Sequence, residues 1–187
     1  MDVREAIQLR RAYRSLDPVE ISDDLINDLA TSASLAPSCF NNQPWRFVFV
    51  KDPTVLGEMH AALSRTNAWV RDASMIIAVF SREDDDCKVR GRIYNNFDTG
   101  MATAFLILRA TELGLVAHPI AGFREKRVKK ILGISEDMQV ITLVNVGKHS
   151  ETLRDTLTEE QKAQEPVRPE RLPLEKFSFI NQYEEPV

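Results

Sequence analysis

The stretch Ala73-Ser74-Met75-Ile76-Ile77-Ala78-Val79-Phe80 sets the tightest limit on how this chain can fold. Its apolar side chains do not alternate with polar ones, so a strand made from it must be covered on both faces. It predicts the buried centre of a sheet. Val140 to Val146 reads as a second buried strand, Trp45-Arg46-Phe47-Val48-Phe49-Val50 has the aromatic and β-branched content of a third, and Leu115 to Ile120 suits a fourth.

Helical segments fall between these strands. Asp2 with Glu5 three residues on resembles a capping box, and Val3, Ala6, Ile7 and Leu9 predict a short helix that ends near Arg10, Arg11 and Arg14. Ser22 can cap a second helix with the stripe Leu25, Ile26, Leu29, Ala30 and Ala33, stopped before Pro37. A short helix is expected after Pro53. Asn96 to Leu113 reads as one long helix, apolar almost all round, with Gly114 as its C-cap; a subunit interface is a natural second cover for it. Glu125 to Leu132 predicts a basic helix stopped by Gly133. After Gly147 the chain turns polar, from Ser150 to Glu170, and then apolar again from Leu172 to Ile180, which suggests an arm that docks its end. With 187 residues and 43% hydrophobic composition, one domain is expected over 1–187, the arm being about 150–187.

Composition excludes several classes. A net charge of -4 lacks the basic excess that non-specific nucleic-acid binding needs. No run approaches the roughly 18 apolar residues of a membrane span, and Met1 to Glu5 lacks the apolar stretch of a secretory signal, so no membrane is expected and the cytoplasm is the expected compartment. Cys39 and Cys87 are far apart in the sequence and lack zinc-site spacing, so reduced thiols are predicted, with neither a disulfide nor a metal. His60, His118 and His149 show no metal spacing either.

Three polar constellations remain. Arg10, Arg11 and Arg14 bring guanidinium forks within about one helical turn of each other, and such forks match phosphate oxygens. Taken singly, they are what many helix ends expose. The loop Ala36-Pro37-Ser38-Cys39-Phe40-Asn41-Asn42-Gln43-Pro44-Trp45 is rich in amides between stiffening prolines. In His118-Pro119-Ile120-Ala121-Gly122-Phe123 a strand end meets a glycine and exposes backbone amides.

In that order and spacing, with Glu112-Leu113-Gly114-Leu115 between the second and third, these motifs resemble the nitroreductase family of FMN-dependent oxidoreductases across nearly the whole chain. The resemblance implies an α+β fold, a mixed β-sheet flanked by helices, in a domain-swapped homodimer whose C-terminal arm embraces the partner. It assigns tightly bound, non-covalent FMN to Arg10, Arg11, Ala12, Arg14, Pro37, Ser38, Cys39, Asn41, Gln43, Asn67, Pro119, Ile120, Ala121, Gly122 and Arg171. Arg10 and Arg11 would hold the phosphate, with Arg171 returning from the arm, and Arg14 would stabilise the anionic reduced ring. A backbone amide at Ala121 or Gly122 would face flavin N5. The loop from Pro37 to Gln43 would reach the flavin of the other subunit. Ala12 departs from the serine usual in the family, so only a backbone contact is expected there.

The implied reaction is ping-pong hydride transfer from NADH or NADPH to a nitroaromatic, quinone or similar small acceptor. The flavin carries the electron chemistry, so no catalytic side chain is named. Two alternatives stand beside it: a specialised relative (dehalogenase, enone reductase or flavin-fragmenting enzyme), or a flavin-binding or sensory module without turnover. Ser81 to Asn96 is where a substrate lid of a specialised relative would lie, against the plainer reading of a solvated loop.

Overall fold

β7 (Gln139–His149) organises the sheet in the computed structural model, which describes residues 1–183. β3 (Met75–Ser81) pairs along one edge, with Ile77 opposite Val144, and β2 (Arg46–Val50) flanks β3, with Val48 opposite Ala78. β6 (Val116–Ile120) takes the other edge of β7, with Ala117 opposite Val146. A two-residue strand that the sequence pattern did not predict, β1 (Leu16–Asp17), pairs at the end of β7.

Each of these pairings is antiparallel, which corrects the expectation of a mixed sheet as far as the described residues go. β3 and β6 do run in the same direction, but β7 lies between them, so they are never neighbours. The buried-strand reading of β3 holds, since all seven of its residues are buried. Its two faces feed two cores. Ile76, Ala78 and Phe80 join Trp69, Val70, Met59 and Val128, beneath α3 (Pro53–His60), the 3-10 segment Arg65–Asp72 and α5 (Glu125–Leu132). Met75, Ile77 and Val79 join Leu29, Ala33, Ala102 and Leu106 from α2 (Asp23–Ser34) and α4 (Asn95–Glu112). Truncating a fully buried isoleucine such as Ile77 to alanine costs about 2–5 kcal/mol in such a setting.

The caps are those the sequence predicts. Asp2 and Glu5 close a capping box on α1 (Val3–Leu9), Ser22 caps α2, and Gly133 ends α5 in the left-handed region at φ 66°. α4 buries Asp98, Ala102, Leu106 and Ala110 but leaves Phe97 and Phe105 exposed on its far side. Its Arg109 grips Asp28 of α2 through Nε and Nη2, with contacts down to 2.6 Å.

The expected arm folds back before it reaches out. α6 (Glu159–Gln164) leads to Glu165, which is buried against the segment after α1. Beyond it the chain exposes Leu172, Leu174, Phe177 and Ile180. Residues 184–187 of the expected arm lie outside the described residues. No described helix is long and apolar enough to cross a membrane.

Candidate functional site

Arg10 leaves α1 with extended backbone, and the following residues run along the end of the sheet towards β1. Beside them is a cavity of about 230 Å³ lined by Arg10, Ala12, Arg14, Glu165, Arg168 and Arg171 among others. Burial holds the Arg10 guanidinium below its ordinary pKa, and the nearby charges of Arg171 and Arg168 push in the same direction. Among the described residues, neither Arg10, Arg14 nor Arg171 forms an ion pair. Glu165 is the acid in the lining, and its carboxylate takes backbone amides rather than these guanidinium groups, whose convergence is the kind of donor set that suits an anion.

Arg11 also borders this cavity, but its donors are committed within the chain. Nη2 donates to the carbonyls of Glu165 and Val167 at 2.9 Å each, Nη1 donates to the Tyr13 hydroxyl at 3.3 Å, and the guanidinium lies 4.4 Å from the Tyr13 ring centre. It clamps the arm. Arg168 donates to the Gln8 carbonyl at 2.5 Å, whereas Arg171 makes no such tie among the described residues. Ala12 contributes only a methyl and its backbone.

His118 joins this cavity to the turn that follows β6. Its Nδ1 donates to the Tyr13 carbonyl at 3.0 Å, and its ring lies 4.6 Å from that of Trp69. Burial lowers its pKa to about 4, an effect that the Tyr13 hydrogen bond opposes and that the charge of Arg14 reinforces. The imidazole is therefore neutral at pH 7.

The turn itself is fastened from Leu63 to Asn67. Ser64 N and Asn67 Nδ2 both donate to the Gly122 carbonyl, at 2.9 and 3.0 Å. A Cβ on Gly122 would come within 2.6 Å of Asn67 Nδ2 and Ser64 Oγ, which is why a glycine stands there. Pro119 and Ala121 are exposed, whereas Ile120 is buried and its carbonyl accepts the Thr142 hydroxyl at 2.9 Å. Asn67, expected as a cofactor contact, thus reaches the Gly122 carbonyl of this turn.

The amide-rich loop is held in an unusual backbone. Phe40, Asn41 and Gln43 have φ of 49°, 59° and 51°, a region that non-glycine residues enter rarely and mostly at functional positions. Ser38 Oγ accepts from Gln43 N at 3.0 Å, and Gln43 Nε2 donates to the Asn41 carbonyl at 3.3 Å. Phe40 stands 85% exposed. Within one chain, Pro37, Ser38, Cys39, Asn41 and Gln43 do not line the arginine cavity.

The cysteine expectation is overturned, because Cys39 and Cys87 are joined by a disulfide with Cα atoms 6.1 Å apart. Sequence separation misled here. β2 and β3 are antiparallel, with Arg46 opposite Phe80, so the loop before β2 lies beside the segment after β3. That segment is solvated over much of its length, as the plainer reading expected, but it is structured. It forms a 3-10 turn at Glu83–Asp85 and a hairpin of β4 (Lys88–Val89) and β5 (Arg92–Ile93), tied down by Arg82 to Asp85 at 2.6 Å and to Asp137 at 2.7 Å.

Sequence reasoning missed Glu165, Asp86 and Asp98, of which Asp86 stood at the end of the acidic run Glu83-Asp84-Asp85-Asp86. The only available signal for Asp98 was an acidic residue within an otherwise apolar helix.

Sheet, helices and arginine cavity together define an α+β protein that gathers several arginines in one cavity. The Nitroreductase family model matches residues 7–67 and 55–148. A protein of Archaeoglobus fulgidus, named provisionally as an NADH dehydrogenase/NAD(P)H nitroreductase, is 33% identical over 147 residues, covering 75% of this chain and 82% of that one. The iodotyrosine deiodinase of Haliscomenobacter hydrossis is 28% identical over 170 residues, covering 76% and 77%. Among solved structures, an oxidoreductase containing FMN superposes with a TM-score of 0.85 at 26% identity, over 99% of this chain and 93% of its own. The chain belongs to the nitroreductase family.

Proposed function

We propose that this protein is an FMN-dependent oxidoreductase that uses NADH or NADPH to reduce a nitroaromatic, a quinone or a similar small acceptor. The observation that carries the reading is the convergence of Arg10, Arg14 and Arg171 on one cavity with no carboxylate ion-paired to them among the described residues. FMN, when bound, supplies the two-electron carrier between the nicotinamide and the acceptor.

The chain's own residues bind and orient that group. Arg10 and Arg171 hold the phosphate, and Arg11 acts one step back by fixing the arm that carries Arg171. Arg14 holds positive charge at the ring edge, where reduction adds negative charge. Backbone amides at Ala121 and Gly122 present a donor to the reacting edge, and Asn67 and Ser64 keep that turn in position. The left-handed loop 37–43 serves the site of a second protomer, which makes the working unit a homodimer, cytoplasmic in the reading from composition. The FMN-containing relative at 26% identity and the nicotinamide-linked name of the A. fulgidus protein support this assignment.

A specialised relative, such as a dehalogenase, is the second reading. The ordered hairpin at 82–94 and the likeness to a deiodinase favour it. Anaerobic titration of the FMN-loaded protein with NADH and NADPH tests both. Bleaching of the flavin band, then reoxidation by quinones or nitroaromatics, is expected. Reoxidation by iodinated phenols alone would transfer the assignment to the second reading, and no bleaching would leave a binding module.

A further inference from the structure

The hairpin and the left-handed loop meet at one covalent point. Cys39 opens the 3-10 turn Cys39–Asn41 and Cys87 directly precedes β4, and their Cα separation of 6.1 Å is one that a disulfide spans without moving the backbone. Both cysteines are half-buried, so a thiol reagent has access to them. Two acids surround the bond. Asp86 is 8% exposed; its Oδ1 accepts from Cys87 N at 2.8 Å and from Asn42 Nδ2 at 3.3 Å, while its Oδ2 is buried without a partner. Asp98, 2% exposed in the first turn of α4, accepts from Cys39 N at 2.6 Å through Oδ2. Burial first, and then the facing Asp86, raise the Asp98 carboxyl, against the opposing effect of the Cys39 amide. The two carboxyl groups flank the bond, one at the backbone amide of each cysteine.

The base of the hairpin does not depend on the disulfide. Arg82 with Asp85 and Asp137, and Arg46 with Asp85, anchor it separately. The bond instead ties the hairpin to the stretch where Phe40, Asn41 and Gln43 hold their left-handed backbone. We propose that Cys39 and Cys87 are a reversible oxidation site, a disulfide latch between hairpin and loop that a dithiol reductant opens and a disulfide oxidant closes.

In opening, a thiolate of the reductant attacks one sulfur and the Cys39–Cys87 bond breaks. A mixed disulfide forms, and the other cysteine leaves as a thiolate that takes a proton from water. The reductant's second thiolate then attacks the mixed disulfide, closes its own disulfide, and releases the second cysteine, which takes a proton from water. Two electrons and two protons reach the protein. The bearing of the latch on turnover rests on the flavin reading above, but the couple is read on the thiols themselves, so either can fail alone.

The test equilibrates the purified protein, with whatever cofactor it carries, in graded ratios of reduced to oxidised dithiothreitol, followed by acid quench, alkylation and mass measurement. One cooperative two-thiol transition is expected, with the same midpoint from either direction. Amide exchange at 39–43 and 88–93 should then rise at least about tenfold on reduction, with 139–149 unchanged. Cys87→Ser should exchange like the reduced protein. A bond that yields only after unfolding would make the pair a permanent staple and overturn the proposal. So would identical exchange in both states, or one zinc per chain held by thiolates of Cys39 and Cys87 in the protein as purified.

Discussion

Glu165 Oε1 accepts the backbone N–H of Ser15 at 2.6 Å, and the same oxygen accepts that of Arg14 at 2.7 Å. Two residues 150 positions apart are thus joined where the sheet begins and the arginine cavity ends. The contact fixes the direction of Arg14 and the course of the arm at once.

Replacing Glu165 with alanine leaves two largely buried amides without an acceptor. A loss of about 1–3 kcal/mol is expected, read as a lower urea midpoint with an unchanged slope. Proteolysis in the arm should quicken, with first cuts between 150 and 171. An unchanged midpoint and cleavage pattern would show that the arm is held by other contacts.

Arg10→Ala and Arg11→Ala separate binding from clamping. The first removes a charge-assisted phosphate contact, and FMN affinity should fall roughly ten- to a hundredfold with little change in the stability of the FMN-free protein. The second removes donors to the Glu165 and Val167 carbonyls, and it should lower stability first. Fluorescence titration with FMN and denaturant melts of both variants decide it; equal FMN affinity in Arg10→Ala and wild type would remove Arg10 from the site.

His118 makes stability depend on pH in a defined window. The unfolded imidazole takes a proton near the ordinary value of 6.5, the folded one only near 4, so between these values the unfolded state holds more protons. Stability is complete above about pH 6.5 and declines by about 3 kcal/mol as pH falls to about 4. His118→Gln, which keeps a donor for the Tyr13 carbonyl, should lose most of that slope. An equal decline in the variant would assign the slope to other groups.

Gly122→Ala puts a methyl within 2.6 Å of Asn67 Nδ2 and Ser64 Oγ. Both are side-chain ends that can turn away, but only by giving up the hold on the turn. A stability loss of about 1–2 kcal/mol is expected, with a shift of the flavin spectrum in the loaded protein. In Asn67→Ala the added loss from Gly122→Ala should shrink; strict additivity would mean that the two residues do not act together.

Removing residues after Arg171 deletes the exposed Leu172, Leu174, Phe177 and Ile180. If these cover a second protomer, light scattering should show loss of the soluble dimer. A well-folded monomer would refute the obligate homodimer.

Much of the architecture was legible in the sequence. The unbroken apolar run predicts a strand covered on both faces because burial on two sides leaves no room for polar alternation, and β3 is that strand. Ser22, Gly133 and the Asp2–Glu5 pair predict helix ends because caps are local chemistry. What was not legible depends on pairs distant in sequence. The Cys39–Cys87 bond follows from the β2–β3 register, the antiparallel sheet from β7 lying between β3 and β6, and the clamp role of Arg11 from carbonyls more than 150 residues away. Of the arginine cluster, sequence identified which residues gather but not which of them have donors to offer.

The antiparallel pairing of β2 with β3 also makes the fold modular at one spot. Whatever chain is spliced between Ser81 and Asn95 is delivered next to the loop that leads into Arg46, whatever its length, because the register fixes both ends. A different hairpin grafted there would change what meets that loop while leaving the residues that line the arginine cavity of the same chain untouched.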